Sequence, residues 1–471
     1  MPPRTTMHRG AKFQPTAEME LIPGRPELIR EVNVRRLLRL LQLHGPCSQA
    51  DLARISRLSP PTVSFAVADL LKKCLVESVG PGRSGGGGRP PRMLRFNTEF
   101  GYVAGAEVTP WEVRLALADL GGTVLGRWTG PMTSRNTPER TAELVESGIR
   151  ELMAHHGVAL QKLLALAAGI HGIVDARSGT TDSLPHFSPA WRHAPLRGLL
   201  EASVKVSTVV ENEVNLAAIA ESWMGRARGV KNFVFITVGD GVGAGIFING
   251  RLYRGSTSAS GEIGFFYVPG SRETPLQKHQ LGPLEEIAST AGIERSWREM
   301  LAQGNGATSA LPKDATAGEI LRLAQAGNRE ARRLVQQSAR AFACAVANVC
   351  AVLDCPLVVV GGCVGSHRVF FEQVHRRLER NDYPRPRVVL STLGEEASLL
   401  GAVWLALNTA ERIVLHSSLG GSRSTTDGSN VLQPFLGLAS RKKLKTQPSR
   451  WEEPGPKPEA ATRRPAPARN G

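Results

Sequence analysis

The N-terminal hundred residues carry apolar side chains three and four positions apart, which is the spacing of amphipathic helices. One helix is predicted from Glu27 to a stop at Gly45-Pro46, and two shorter helices follow the suitable N-caps Ser48 and Ser59. Two short helices joined by a tight turn form a helix-turn-helix, whose second helix begins with residues that meet base edges. We therefore predict DNA contacts from Ser59, Pro60, Thr62, Val63, Ser64 and Phe65. A three-helix bundle that binds no nucleic acid is the alternative.

A glycine-rich segment with three arginines and no acidic residue separates two short predicted strands, 75–79 and 93–96. Such a segment has little to bury, so its side chains are available to another molecule. A flexible arginine arm suits the narrow minor groove of A·T-rich DNA, where negative potential is concentrated. Beside a helix-turn-helix, the segment is predicted to be a DNA-binding wing that acts through Arg83, Arg89 and Arg92. A plain linker is the alternative.

From Tyr102 onwards, short apolar runs alternate with helical patterns, which is typical of an α/β fold. Strands are predicted at 102–108, 113–118, 163–168, 206–210, 233–238, 246–248, 357–360 and 388–390. Helices are predicted at 138–153, 284–303, 317–326, 329–353 and 397–407, with a further helix ending near residue 223.

Glycines at every second position from 239 to 245 lie between the strands predicted at 233–238 and 246–248. Glycine lets a backbone approach a ligand closely, and the amide groups can then face an anion. Gly239, Asp240, Gly241 and Gly243 are therefore candidates for a phosphate loop. A tight hairpin that binds no ligand is the alternative.

The net charge of +16 is concentrated at the two ends of the chain. Residues 1–100 contain 16 Lys and Arg against 8 Asp and Glu, and residues 421–471 contain 10 against 4, so the middle is close to neutral. This distribution favours a small-molecule domain with a polyanion-binding appendage. We find no apolar run long enough for a membrane span and no signal-peptide core, so we expect a cytoplasmic protein with no membrane partner.

Three strings, GDGVGAGIFINGRLYRG, SASGEIG and ENEVN, resemble the ROK family of repressors and sugar kinases. The resemblance implies an α/β fold class: a winged helix-turn-helix (26–97) followed by a two-lobed, actin-like sugar-kinase fold with ribonuclease-H-like halves. The implied lobes span 98–212 and 213–410, with a C-terminal helix that returns to the first lobe. The flanking segments 1–25 and 411–471 are predicted to be disordered.

The resemblance also implies a sugar site formed by Gly172, Asn212, Glu213, Glu262 and Glu285. Carboxylates and an amide suit a polyol, because they accept from or donate to neighbouring hydroxyls. Glu213 stands where the family's kinases carry a catalytic aspartate, and its additional methylene displaces the base, so we expect no catalytic residue. Solvated surface acids are the alternative interpretation of these carboxylates.

Features that the family's kinases use to hold phosphate and zinc are missing. Residues 107–111 (EVTPW) replace the loop Asp-x-Gly-Gly-Thr, which removes both glycines and one amide donor. Asp240 replaces a threonine, and a carboxylate there repels phosphate. The positions of the zinc ligands hold residues that do not suit zinc, namely Phe265, Leu276, Lys278 and Pro283. We therefore expect no metal and no cofactor, and ATP binding is disfavoured.

Together these features predict a sequence-specific DNA-binding transcriptional regulator, a repressor of carbohydrate metabolism genes, rather than an enzyme. Its expected partners are a double-stranded DNA operator, a sugar or sugar derivative as effector, and further copies of itself in a homodimer or homotetramer. An active ATP-dependent sugar kinase of the hexokinase or glucokinase type, with a regulatory DNA-binding domain, is the alternative. A third hypothesis is a structural DNA-binding protein whose cleft binds nothing.

Overall fold

The computed structural model describes residues 26–82, 90–133, 136–182, 187–271, 276, 280–303 and 312–417. The predicted N-terminal tail (1–25), most of the predicted C-terminal tail (418–471), and Arg83 and Arg89 of the wing lie outside the described residues. Among the helices of these ranges, none combines the length and hydropathy that a membrane crossing requires.

The N-terminal domain contains three helices and a three-stranded antiparallel sheet. Its elements are α1 (Pro26–His44), β1 (Cys47–Ser48), α2 (Gln49–Ser56), α3 (Pro60–Lys72), β2 (Val76–Pro81) and β3 (Arg92–Phe96). The strands are ordered β1-β3-β2. Apolar side chains from all three helices and both wing strands share one buried core, which includes Leu37, Leu52, Leu70 and Leu94. This arrangement is the predicted winged helix-turn-helix.

Side-chain caps start both helices of the helix-turn-helix. Ser48 Oγ accepts the Asp51 N–H at 3.1 Å, while the Asp51 carboxylate accepts the Ser48 N–H at 3.2 Å, so the two residues form a capping box. Ser59 Oγ accepts the Thr62 N–H at 3.3 Å, ahead of prolines at the first two helical positions. Both predicted N-caps are confirmed.

The first lobe is built on a five-stranded mixed sheet. Its elements are β4 (Tyr102–Val108), β5 (Glu112–Asp119), β6 (Val124–Pro131), α4 (Pro138–His155), β7 (Leu163–Ile170), β8 (Val174–Asp175), β9 (Thr180–Thr181), α5 (Leu196–Val204) and β10 (Ser207–Asn212). The sheet order is β10-β7-β4-β5-β6, with β10, β7 and β4 parallel. The carboxyl ends of these three strands therefore meet at one edge, and α4 and α5 cover one face.

The second lobe repeats the plan with a second five-stranded sheet. Its elements are α6 (Glu213–Trp223), β11 (Phe233–Val238), β12 (Val242–Ile248), β13 (Arg251–Tyr253), α7 (Glu285–Ala288), α8 (Thr290–Ala302), α9 (Ala317–Gln325), α10 (Arg329–Leu353), β14 (Leu357–Gly361), α11 (Arg368–Leu378), β15 (Arg387–Leu390) and α12 (Ala397–Ser417). The order is β13-β12-β11-β14-β15, and α8 to α11 pack around the buried side chains Trp297, Phe342 and Phe370.

Helices α6 and α12 form a layer between the two sheets, and one buried cluster joins residues of both lobes to them. The layer is tight because glycines lie at its contacts. A Cβ on Gly401 of α12 would collide with the backbone of Leu216 in α6, and a Cβ on Gly245 of β12 would lie 2.5 Å from Ala218 Cβ. The C-terminal helix α12 therefore packs against residues of both lobes.

Several bounds differ from the predicted ones. The last helix continues to Ser417, so residues 411–417 are helical rather than part of a disordered tail. Strand β12 begins at Val242, inside the glycine run. The helix predicted at 284–303 breaks at Ser289, whose extended backbone and side-chain bond to the Gly292 N–H start α8 separately. Helices α5 and α11 were not predicted.

We predict that Gly401→Ala lowers the free energy of unfolding by about 1–3 kcal/mol, because a methyl group forces α6 and α12 apart in a close-packed layer. Urea denaturation monitored by circular dichroism measures the change. Gly318→Ala in α9 is the matched control, since the nearest atom to its Cβ is Arg322 Nη1 at 3.7 Å. The control should be neutral or gain about 0.5–1 kcal/mol. Equal behaviour of the two variants would contradict the close packing.

Candidate functional site

The first turns of α3 present hydroxyls and one aromatic ring to solvent. Phe65 is 72% exposed, and Ser59, Pro60 and Ser64 are also exposed. The hydroxyls of Ser59 and half-buried Thr62 lie 2.7 Å apart, so they are fixed at the start of the helix. This surface offers hydrogen-bonding groups for base edges or phosphates and an apolar group for a thymine methyl.

Val63 does not belong to this surface. Its side chain is 0% exposed and lies in the core of the N-terminal domain. The predicted base contact from Val63 is therefore wrong, because one face of α3 must pack on α1 and α2.

The described part of the wing is the ribbon of β2 and β3. Arg92 is exposed and donates from Nε to Ser78 Oγ at 2.7 Å. Arg95 forms an ion pair with Glu77 across the ribbon. Arg92 therefore stays a candidate DNA contact at the base of the wing, whereas Arg83 and Arg89 lie outside the described residues.

In the cleft between the lobes, Gly172, Asn212 and Glu213 meet where β7 and β10 end. Gly172 has a φ of 104°, which favours glycine. Asn212 Nδ2 donates to the Gly172 carbonyl at 2.9 Å and lies 3.1 Å from Glu213 Oε2. Asn212 Oδ1 accepts the N–H groups of Val214 and Asn215, so Asn212 is the N-cap of α6. The capping bonds hold its amide in one orientation.

Glu285 and Glu262 approach the same cleft from the second lobe. Glu285 Oε1 accepts the Val242 N–H at 2.9 Å, and Oε2 accepts the Gly282 N–H at 2.9 Å. Glu262 is close enough to Glu285, and Glu213 to Glu262, for their charges to interact. The structure therefore brings together the residues predicted to form the sugar site, and their role in binding stays a prediction.

Burial and mutual repulsion shift the titration of these carboxyl groups. Burial, reinforced by the charge of Glu285, raises the pKa of Glu262 to about 7. Burial, reinforced by Glu262 and Glu107, raises the pKa of Glu213 well above its ordinary value. A neutral carboxyl donates a hydrogen bond and an ionised carboxyl accepts one, so near neutral pH this cleft offers both functions to hydroxyl groups.

The predicted phosphate loop is only partly a loop. Gly239 donates its N–H to the Gly241 carbonyl at 3.0 Å, which closes a turn around exposed Asp240. Thr290 Oγ1 donates to Asp240 Oδ1 at 2.9 Å. Gly243 is paired with Thr237 in the sheet, where a Cβ would lie 3.0 Å from Val214 Cγ2. Placing Gly243 in the loop was wrong, since its small size serves the packing of β12 on α6.

The end of β4 and the turn to β5 contain residues 107–111, which the sequence analysis matched to the first phosphate loop of the family's kinases. Thr109 donates its N–H to the Glu112 carbonyl at 2.9 Å, and Thr109 Oγ1 accepts the N–H groups of Trp111 at 3.3 Å and Glu112 at 3.0 Å. Pro110 has no N–H. The backbone donors of this turn are therefore committed within it or missing.

Two arginines with structural roles in the cleft were missed by the sequence analysis. Arg114 forms an ion pair with Glu107, which is 5% exposed, and donates to the Glu395 carbonyl at 2.9 Å. Arg254 forms an ion pair of 2.7 Å with Glu211, which is 2% exposed and lies on β10. The second pair ties the two lobes together beside the cleft. Glu107 and Arg114 face each other across the β4–β5 hairpin, so the two predicted strands could have indicated their pairing. Glu211 and Arg254 are 43 positions apart, which leaves no local sequence signal.

Comparison with known proteins identifies the architecture. A family model described as ROK family matches residues 105–409, and one described as winged helix-turn-helix DNA-binding matches residues 30–73. The chain belongs to the ROK family. This ROK protein therefore carries a DNA-binding domain ahead of a sugar-kinase-like domain.

The relatives of this ROK protein include both regulators and kinases. A xylose repressor of Caldicellulosiruptor bescii is 23% identical over 82% of this chain and 98% of the repressor. A glucokinase of Halalkalibacterium halodurans is 27% identical over 64% of this chain and 94% of the enzyme. A crystal structure of a ROK family transcriptional regulator, homologous to the E. coli Mlc protein, superposes with a TM-score of 0.69 at 21% identity, covering 83% of this chain and 99% of that one. The last likeness establishes the fold.

The DNA-binding domain of this ROK protein meets the rest of the chain at the end of α12. Glu411 Oε1 lies 3.7 Å from Arg35 Nε of α1. Burial raises the pKa of Glu411 to about 7, although Arg35, Arg39 and Arg412 oppose the shift. A cavity of about 440 Å³ lies beside this contact, between α1, the wing strands and α12. The two domains therefore share a partly polar and incompletely packed junction.

We predict that Glu262→Gln raises the melting temperature and that the gain grows with pH. Below pH 4.5 the Glu262 carboxyl is protonated in both the folded and the unfolded state, so it contributes little. Between pH 4.5 and 7 the Glu262 carboxyl ionises in the unfolded state while it stays protonated in the folded state, so the free energy of unfolding falls as pH rises. Above pH 7 the carboxyl is ionised in both states, and the loss of stability stays at its full value. Glutamine removes that cost.

Differential scanning fluorimetry at pH 5, 7 and 8.5 measures this effect. Glu299→Gln is the control, because that carboxylate is exposed on α8 and should give the same small change at each pH. A Glu262→Gln shift that does not depend on pH would contradict the raised pKa.

Proposed function

We propose that the protein is a sequence-specific, DNA-binding transcriptional repressor whose ROK domain senses a sugar and does not transfer phosphate efficiently. The observation that carries the proposal is the turn between β4 and β5. Its backbone donors are used internally or removed by Pro110, while the other residues around the cleft remain suited to hydroxyl groups. The combination favours ligand sensing over phosphotransfer.

DNA recognition is assigned to α3 and the wing. An exposed phenylalanine on a recognition helix has no packing role to explain it, and the neighbouring hydroxyls add polar contacts. The basic N-terminal hundred residues supply the electrostatic attraction to phosphates that such domains need. Helix-turn-helix dimers bind operators with two half-sites related by two-fold symmetry, so we expect the protein to bind DNA as an oligomer with an even number of copies.

Sugar sensing is assigned to the carboxylates of the cleft. Three glutamates from two lobes can exchange hydrogen bonds with a polyol, while the amide of Asn212, whose bonds go to Gly172, Glu213, Val214 and Asn215, holds this part of the cleft in place. Phosphate meets a different environment, because Asp240 and Glu285 place carboxylates at the second loop and Val242 already donates its N–H to Glu285. A triphosphate would be repelled there.

A physical path connects the cleft to the DNA-binding domain. The N-cap of α6 lies in the cleft, α6 packs tightly on α12, and the end of α12 contacts α1 through Glu411 and Arg35. Cleft closure around a sugar therefore moves the layer on which the winged helix rests. The resulting change in half-site spacing alters operator affinity through a coupling free energy, typically about 1–3 kcal/mol.

We predict that Phe65→Ala weakens binding to the operator about 10- to 100-fold, because an apolar base contact is lost. The operator duplex is first selected from a random-sequence library with the purified protein, and fluorescence anisotropy at fixed salt then measures affinity. Val352→Ala is the control, since this apolar side chain is 82% exposed on α10. Unchanged operator affinity for Phe65→Ala would contradict the assignment of α3.

We predict that one member of a panel of hexoses, pentoses and their amino derivatives changes operator affinity about 5- to 150-fold. With ATP and the same sugar, turnover should stay below about 1 s⁻¹, under the usual kinase range of about 1–100 s⁻¹. Glu262→Gln should weaken sugar binding in calorimetry while leaving the affinity of the sugar-free protein for operator unchanged.

Turnover within the ordinary kinase range would establish an active sugar kinase with a regulatory domain and overturn the sensing role. Operator binding that no sugar affects, together with no calorimetric signal, would instead favour a DNA-binding protein with an unused cleft. Glu299→Gln serves again as the carboxylate control outside the cleft.

A further inference from the structure

A groove of about 750 Å³ runs between α10 and α11 on the second lobe, with Pro269 and Gly270 at its edge. It lies apart from the cleft and from α3, and neither proposed function uses it. Its volume is in the range of small-molecule sites, about 300–1,000 Å³.

Arginine dominates the walls of the groove. The lining residues include Arg333 and Arg340 on α10 and three more arginines along and just beyond α11, Arg376, Arg377 and Arg380. Arg333, Arg340, Arg377 and Arg380 are exposed to solvent. Residues seven apart, such as Arg333 and Arg340, lie on the same side of a helix, so the two guanidinium groups face the groove in a row.

Compensating acids are scarce along this groove. Within the described part of the chain, none of its lining residues is acidic. Of its five arginines, Arg376 has an ion-pair partner there, since its Nη2 lies 3.8 Å from Glu372 Oε2. Concentrated like charges repel each other, and a bound anion would relieve the repulsion.

The remaining polar lining also suits an anion with many acceptors. Gln336, Gln337 and Gln373 line the groove between the arginines, and each side-chain amide has two N–H donors. Guanidinium groups bind phosphate oxygens through two parallel hydrogen bonds, which favours arginine where phosphate is recognised.

We propose that this groove binds a phosphate-dense anion, a ligand that carries two or more adjacent phosphate groups. Five positive charges around about 750 Å³ match a small ligand that concentrates several negative charges. A second copy of the same face would bring arginines against arginines, which disfavours a two-fold contact between copies.

Isothermal titration calorimetry of the full-length protein with sodium tripolyphosphate tests the proposal, with orthophosphate and ATP as further probes. Tripolyphosphate should bind at least tenfold more tightly than orthophosphate. The double variant Arg333→Ala/Arg377→Ala should lose at least tenfold in tripolyphosphate affinity. If ATP also binds and the double variant loses that binding, the ligand is a nucleotide. If ATP binds tenfold more weakly than tripolyphosphate, the ligand is an inorganic polyphosphate.

The control is Arg228→Ala/Arg251→Ala, which removes two exposed arginines that do not line the groove, one between α6 and β11 and one on the edge strand β13, and should change affinity less than twofold. Equal losses in both double variants would reveal a general charge effect and overturn the proposal, as would no loss in either. Preferential binding of poly-glutamate would overturn it in favour of an acidic protein segment. Loss of operator affinity with unchanged tripolyphosphate binding would assign the arginines to DNA.

Discussion

The packing of α6 on α12 is the constraint on which the rest of the molecule depends. Gly401 allows the two helices to approach until the backbone of Leu216 lies where a side chain would be. Because α6 begins at Asn212 and α12 ends beside the winged helix, this contact fixes the position of both. A close-packed layer has few alternative arrangements, so a displacement at one end is transmitted rather than absorbed.

Crowded carboxylates are the chemical consequence of this architecture. Strand ends from two lobes bring Glu107, Glu213, Glu262 and Glu285 into one cleft, and burial raises the pKa values of the first three. Arg114 offsets the charge of Glu107. The remaining groups can form hydrogen bonds with neutral hydroxyls, whereas a nucleotide would add further negative charge. In the proposed role, electrostatics therefore favours a sugar over a phosphate donor in this cleft.

Local patterns predicted most of the secondary structure. The strand at 102–108 and the helix at 329–353 have the predicted bounds, because both are long, strongly patterned segments. Val63 was misassigned although its spacing with Val67 and Leu70 marks a buried face. The ion pair Glu211–Arg254 joins segments 43 positions apart, and no local pattern carries that information. The pair Glu107–Arg114 is local, because the two residues face each other across the β4–β5 hairpin, and its strand pairing was overlooked. The residues of the predicted sugar site came from the family resemblance alone.

In the proposed sensing role, the junction at Glu411 lies on the path between the cleft and the DNA-binding domain. Beside Arg35, burial raises the pKa of Glu411 to about 7, while the neighbouring arginines favour its ionised form. The cavity of about 440 Å³ at this contact leaves room for the winged helix to shift without opening a packed core. The contact between α6 and α12 is closely packed, and the contact between α12 and α1 is loosely packed. Together they allow a small movement in the cleft to change the position of α3. A closely packed contact followed by a loosely packed one is the arrangement that the proposed sensing role requires.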